Sequence, residues 1–227
     1  MGEIVRRTMC SVVLIAISCS IPSQVHADSG TSNDVANATT TSAATVSKYV
    51  FPFAREEVSY IRDHLNYPAT DVEGCYAKLL APTAGTITHT RRKDTWVEEI
   101  DDPGTRGGLT ITLIGDDTVR YFFAHLGRVK VKIGQQVEAG DWIGVVGSSG
   151  NARVTRCHVH VGMSRICPLA EINLLQGELW PWRYLDAWRD GIQLSPRKAK
   201  NNLIKKFPNR CTTATESWRA TSSHFDG

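Results

Sequence analysis

Long apolar runs are missing from this 227-residue chain. The most apolar stretch, Val12 to Ile17, is far shorter than the roughly 20 residues a helix needs to span a bilayer. Charge of one sign is also lacking. Lys and Arg number 26 against 23 Asp and Glu, a formal net charge of +3, which gives no electrostatic case for nucleic acid as a partner, because counterion-release binding needs a dense basic patch. No Cys-x-x-Cys pair occurs, so a Cys-rich zinc site is disfavoured. No His-Glu-x-x-His helix occurs either, which removes the common arrangement of two zinc histidines with a glutamate base. No repeat of solenoid period is evident. What is present is ordinary globular material, 41 % hydrophobic and 22 % charged, and this excludes a wholly disordered or fibrous chain. The length suits one domain of roughly 100–200 residues with extensions. Seven His and six Cys are the chemically loaded residues, and their meaning depends on the compartment.

Residues 1–27 read as a secretory signal. Arg6 and Arg7 form a positive start, Val12 to Ile17 a short apolar run, Pro22 a break, and Val25-His26-Ala27 a small-x-Ala cleavage site. Cleavage after Ala27 removes Cys10 and Cys19 and leaves Cys75, Cys157, Cys167 and Cys211. An even number of cysteines in an exported chain implies up to two disulfides, with three connectivities open. The expected location is periplasmic or extracellular.

Residues 28–46 are Ser, Thr, Ala, Asn, Asp and Gly without apolar periodicity, and cannot bury enough surface to offset ordering entropy. They are expected to be a flexible leader. From Tyr49 to about Arg165 the chain reads as short strands cut by glycine turns. Ala84 to Thr90 alternates, Leu109 to Ile114 alternates more cleanly, and Gly115-Asp116-Asp117 turns into Thr118 to Phe123 as a hairpin. Val129 to Gly134, Val137 to Gly144 and Arg156 to Met163 supply further strand pieces. The class this predicts is mainly β, an antiparallel barrel or sandwich. Pro181 and Gly191 bracket a short helix whose Tyr184, Leu185 and Trp188 share a face. From Ser195 the chain turns polar and basic and reads as a mobile tail over 195–227.

Six histidines survive the cleavage, and Cys157-His158-Val159-His160-Val161 is the most informative stretch. On a strand, alternate side chains share a face, so His158 and His160 stand together about 7 Å apart along the strand. Both can be metal ligands, or one a ligand and the other a catalyst; a packed strand with two satisfied histidines fits the pattern equally. His64 and Asp71 flank a proline turn and offer the nitrogen and oxygen donors zinc accepts, although an exposed loop explains that spacing too. With one later histidine they would make three ligands and an open position, the pattern of catalytic rather than structural zinc. His125 ends the strand Tyr121 to Leu126 and, taken alone, is equally a surface histidine. Asn151, in a glycine-rich loop, reads as a turn residue.

Taken in order, His64 through Asp71, Ala81-Pro82-Thr83-Ala84-Gly85-Thr86-Ile87, Tyr121 through Leu126, Val131 to Gly144, Gly147-Ser148-Ser149-Gly150-Asn151-Ala152 and His158-Val159-His160 resemble the lysostaphin-type zinc metallopeptidases. These are peptidoglycan endopeptidases with the duplicated hybrid motif fold. The resemblance covers about His64 to Arg165. It implies an antiparallel barrel-sandwich, here with a short C-terminal helix, over a domain at 47–194. It implies that His64, Asp71 and His160 bind zinc, and that His125 and His158 form the catalytic pair handling the attacking water and the oxyanion. The implied substrate is a peptidoglycan stem peptide or cross-bridge, and the implied state is a monomer without a membrane span after signal cleavage. The chain departs from the family pattern twice: six residues separate His64 from Asp71 where many relatives have three, and the usual His-Leu-His-Phe-Glu strand reads His158-Val159-His160-Val161-Gly162. A second reading is a catalytically silent relative that binds the wall or regulates other wall hydrolases. Retention of all five polar positions argues against it.

Overall fold

The structure is a computed structural model and describes residues 49–53, 58–64, 67–167 and 177–213. The expected signal (1–27) and leader (28–46) lie outside the described residues, as do the end of the expected tail (214–227) and His224.

Among the described residues nine antiparallel strands form one sheet: β1 (Ser59–Tyr60), β2 (Thr70–Glu73), β3 (Lys78–Leu80), β4 (Gly85–Arg91), β5 (Leu109–Gly115), β6 (Arg120–Val129), β7 (Gln136–Val137), β8 (Trp142–Val146) and β9 (His158–Ser164). Helices α1 (Trp182–Arg189) and α2 (Arg197–Lys206) follow. The main path runs β1-β2-β9-β6-β5-β4-β7, and β8 joins β3 to β6. The fold is thus mainly β and antiparallel, as the glycine-cut alternation predicts. The sheet branches at β6. Its first half pairs with β9, from Arg120↔Ser164 to Ala124↔His160, and its second half pairs with β8, from Leu126↔Val146 to Val129↔Gly144. The change of partner follows His125, whose φ of 62° is rare for a residue with a Cβ.

The β5–β6 hairpin forms at the predicted turn, with Gly115 N–H bonded to the Val119 carbonyl at 2.9 Å. Leu79, Ile87, Ile111, Leu113, Phe123, Leu126 and Ile143 are fully buried in the main core. Each aliphatic side chain so buried contributes about 1.5–3 kcal/mol. β6 is buried on both faces rather than one. Tyr121 and Phe123 enter the main core, while Phe122 and Ala124 form a second small cluster. That second face is the floor of the site. The predicted strand piece Val129 to Gly134 is not a separate strand: β6 ends at Val129 and the chain turns at residues 133–134.

Helix α1 appears where predicted, with Pro181 at its N-cap and Gly191 beyond its end at φ 78°. Tyr184, Leu185 and Trp188 are buried, and Trp188 stacks on Tyr49 at 5.2 Å. The expected mobile tail is a helix over its first part. α2 is held by groups that no local pattern reveals. Arg165 donates to the carbonyls of Leu203 (3.1 Å) and Phe207 (2.6 Å). Lys200 is buried and reaches the Thr118 carbonyl at 3.0 Å. Cys211 is bonded to Cys167. The second disulfide joins Cys75 to Cys157, which selects one of the three possible connectivities. Among the described residues no helix is long and apolar enough to cross a membrane.

Candidate functional site

β2 and β9 pair in a register that sets Asp71 opposite His160 and Glu73 opposite His158. Cross-strand partners share a face, so Asp71 and both histidines project to one side. Across β9, His160 also lies opposite Ala124 of β6, one residue before His125. His64 arrives from the loop before β2. Its ring packs on Tyr67 (4.5 Å between centroids) and on His160 (5.1 Å).

His64, Asp71 and His160 form a cluster in which one donor atom from each lies within 4.8 Å of the others. His160 Nδ1 is 2.9 Å from Asp71 Oδ1, and His64 Nε2 is 4.0 Å from Asp71 Oδ2. Ligands 2.0–2.1 Å from a tetrahedral zinc stand about 3.3 Å apart, so these separations bracket what zinc requires. Burial raises the Asp71 carboxyl, but the hydrogen bond to His160 and the neighbouring histidines outweigh it and hold the group below its ordinary value. Burial and the nearby His160 lower His64. His160 Nε2 is buried with no hydrogen-bond partner. A buried polar cluster left this incompletely satisfied marks a place where a ligand belongs.

His125 and His158 pack together beside the cluster, their ring centroids 4.9 Å apart, with His125 6.3 Å from His160. The left-handed backbone at His125 turns its ring out of the strand, and its N–H is tied to the Gly107 carbonyl at 2.8 Å. Three of the four imidazoles are fixed alike. Nδ1 of His64 meets the Tyr67 carbonyl (3.1 Å), Nδ1 of His125 the Ser149 carbonyl (2.9 Å), and Nδ1 of His158 the Arg156 carbonyl (2.8 Å). A carbonyl only accepts, so Nδ1 carries the proton in each and Nε2 keeps the lone pair. Burial pushes His125 down to about 4, so the ring is neutral at pH 7.

The glycine-rich loop serves as a brace. Ser149 Oγ accepts the Leu109 N–H (2.9 Å) and donates to the Leu126 carbonyl (2.7 Å). Gly108 (φ 57°) and Gly150 (φ 68°) meet backbone to backbone. A Cβ on Gly150 would stand 2.0 Å from the Arg106 carbonyl oxygen, so only glycine fits. Asp94 accepts the Gly150 N–H at 2.8 Å and pairs with Arg153.

These groups open onto a cleft of about 680 Å³. It brings together His64, Asp71, His160, His125 and Asn151, with Phe122 and Ala124 as floor. His158 stands beside His125. The cleft also holds Tyr67 and Arg106, neither of which sequence reasoning singles out. Tyr67 sits inside the quoted His64–Asp71 stretch, so its place beside the first histidine was the available signal. Arg106 carries none, since it lies in the irregular segment 92–108.

Residues 70–170 match the sequence profile of peptidase family M23. No curated protein matches the chain significantly. Among solved structures the fold is like that of a protein assigned as the glycyl-glycine endopeptidase LytM of Ruminococcus gnavus, at 21 % identity and a TM-score of 0.50, covering 66 % of this chain. The chain spans 64 % of that protein's length. It is also similar to the catalytic domain of the antimicrobial peptidase lysostaphin from Staphylococcus simulans, at 24 % identity and a TM-score of 0.42, over 56 % of this chain and 88 % of that one. A zinc-containing peptidase from Vibrio cholerae matches at 18 % identity and a TM-score of 0.40, over 51 % and 36 %. The stretch that matches this family carries antiparallel strands and two members of the His-Asp-His cluster in the cleft, Asp71 and His160.

Proposed function

We propose that the protein is an exported zinc metalloendopeptidase that hydrolyses peptide bonds in peptidoglycan cross-links, acting in the periplasm or outside the cell. The observation that carries this reading is the pairing of two sets of groups in one cleft. A three-donor cluster, His64–Asp71–His160, shares the cleft with His125, on which His158 packs, and both of these imidazoles hold a backbone carbonyl through Nδ1 and leave Nε2 free. His64, Asp71 and His160 would hold the zinc. A zinc ion there would act as a Lewis acid on the peptide carbonyl and make water acidic enough to attack near neutral pH.

The rest belongs to the chain. Tyr67 packs against both His64 and His160 and keeps their rings oriented. His125, neutral and anchored by the Ser149 carbonyl, presents Nε2 as a proton acceptor. His158, anchored by the Arg156 carbonyl, presents a second. Between them they take the proton of the attacking water and return one to the leaving amine. No glutamate is needed for this, in keeping with the absent His-Glu-x-x-His helix. The floor of Phe122 and Ala124 keeps water from beneath the scissile bond.

The test is to incubate the purified mature protein with defined muropeptides, with and without a zinc chelator, and to read the products by mass spectrometry. Chelator-sensitive endopeptidase cleavage is expected, with one zinc per chain. A protein that cleaves nothing while holding its zinc would overturn the reading and favour the catalytically silent, wall-binding alternative.

A further inference from the structure

We propose that Arg106 makes this site selective for wall peptides carrying a free carboxylate beside the bond to be cut. The inference rests on the cleft being the substrate site of the proposed endopeptidase, and it chooses among substrates that the sequence leaves open. Among the described residues lining the cleft, Arg106 is the single permanently cationic one. The acidic side chains Asp63 and Glu73 come from the β1–β2 side, so Arg106 is the one permanently charged side chain of the lining that favours a bound acid group.

Arg106 is also placed with unusual firmness for a residue outside regular structure. Its carbonyl accepts the Asn151 N–H at 2.9 Å, and the carbonyl of the next residue, Gly107, accepts the His125 N–H at 2.8 Å. The backbone that carries the guanidinium is therefore tied to one of the two imidazoles. The side chain is fixed in turn. Nε and Nη2 donate to Asp101 at 2.8 and 2.5 Å, and Asp101 is itself held by the buried Trp96 through Nε1 at 3.0 Å.

Those two bonds use two of the five guanidinium N–H donors. The remaining three belong to a side chain whose conformation is settled before any ligand arrives, so binding costs little further rotamer entropy. Half-exposed and facing the cleft, this group suits a planar carboxylate, which it can meet with two parallel hydrogen bonds. A bridge made only of glycine has no side-chain carboxylate to offer. A cross-link through a diamino acid with a free carboxyl does.

The experiment uses the full mature chain and three matched substrates: a cross-linked muropeptide with the diamino acid carboxyl free, the same compound with that carboxyl amidated, and a pentaglycine-bridged one. Both kcat/KM and Kd, by calorimetry, are measured. The free acid is expected to be preferred over the amide by about tenfold or more, the scale of a charged hydrogen-bonded pair. In Arg106→Gln that ratio collapses toward one, and Arg106→Lys, which keeps the charge and loses the fork, retains part of it. Equal handling of acid and amide by the wild type, or a preference that survives in Arg106→Gln, overturns the inference while leaving the endopeptidase reading intact. If nothing is cleaved, the endopeptidase reading fails and the acid-to-amide ratio of Kd still decides the role of Arg106.

Discussion

β9 is built differently at its two ends. At its end, Arg165 follows the last residue, lies buried, pairs with Glu178 at 2.9 Å and donates to two carbonyls of the last turn of α2. Nε, Nη1 and Nη2 all have partners there. At its start, His160 lines the cleft and His158 packs on His125 beside it, with no hydrogen-bond partner among the described residues at Nε2 of either ring. Each end is closed by a disulfide, Cys75–Cys157 before the histidines and Cys167–Cys211 beyond the arginine. Where polar groups are fully paired they fasten one element to another, and where lone pairs are left over they await a ligand. One strand does both because each end has its own neighbours.

Substitutions at the two ends should therefore separate metal binding from stability. The largest effect is expected at the start. His160→Ala should lose the zinc and reduce cleavage by about 10³-fold or more, whereas His125→Ala should keep the zinc and lose about 10²–10⁴-fold in kcat. Metal analysis beside steady-state kinetics reads both, and stoichiometric zinc in H160A would falsify the ligand set. At the other end, Arg165→Ala leaves Glu178 buried without its partner and should cost about 3–5 kcal/mol in urea unfolding, with zinc per folded chain unchanged. If the variant instead loses its zinc while still folded, the two ends are not independent.

Removing the disulfides sharpens the contrast at smaller scale. Replacing either pair by serine should cost about 2–4 kcal/mol. Only loss of Cys75–Cys157 should also weaken zinc affinity, because β2 carries Asp71 near the edge of the sheet, held by β9 and the two-residue β1. Chelator competition on the two double variants measures this, and equal zinc affinity in both would break the comparison. The smallest effect concerns the brace beside the site. Burial raises the Asp94 carboxyl, but the Gly150 N–H and Arg153 outweigh it and hold the group below its ordinary value. Its stabilising contribution is full above the unfolded pKa, about pH 4, and is lost as pH falls through the lower folded value. The stability gap between wild type and Asp94→Asn should thus shrink in acid below about pH 4. A gap that stays constant down to pH 2 would show that Asp94 acts without its charge.

Much of the fold was legible. The β5–β6 hairpin stands on a turn signal between two apolar runs, and α1 on Pro181, Gly191 and three residues sharing a face. α2 was not legible, because its sequence is mostly polar and its anchors, Arg165, Thr118 and Cys167, are distant in the chain. The two-sided burial of β6 was hidden for a related reason. Alternation shows that Tyr121 and Phe122 point apart, but not that Phe122 is also buried, in a small cluster with Ala124. In the site, four of the five residues named from motifs, His64, Asp71, His125 and His160, gather at one cleft, and the fifth, His158, stands beside it through His125. Tyr67 and Arg106 entered only with the structure.

By itself the sequence determined the period-two pattern, which puts His158 and His160 on one face of a strand whatever that strand pairs with. It determined the supply of nitrogen and oxygen donors, and the glycines that let the 147–152 loop approach its neighbour. Only the tertiary structure decided the register that sets Asp71 opposite His160, the left-handed turn that brings His125 beside His158, and the cysteine partners. The physical reason is range. Periodicity and turn chemistry act between residues a few positions apart, whereas Asp71 and His160 stand 89 residues apart and meet only because burial of both faces of the sheet leaves one register open to them.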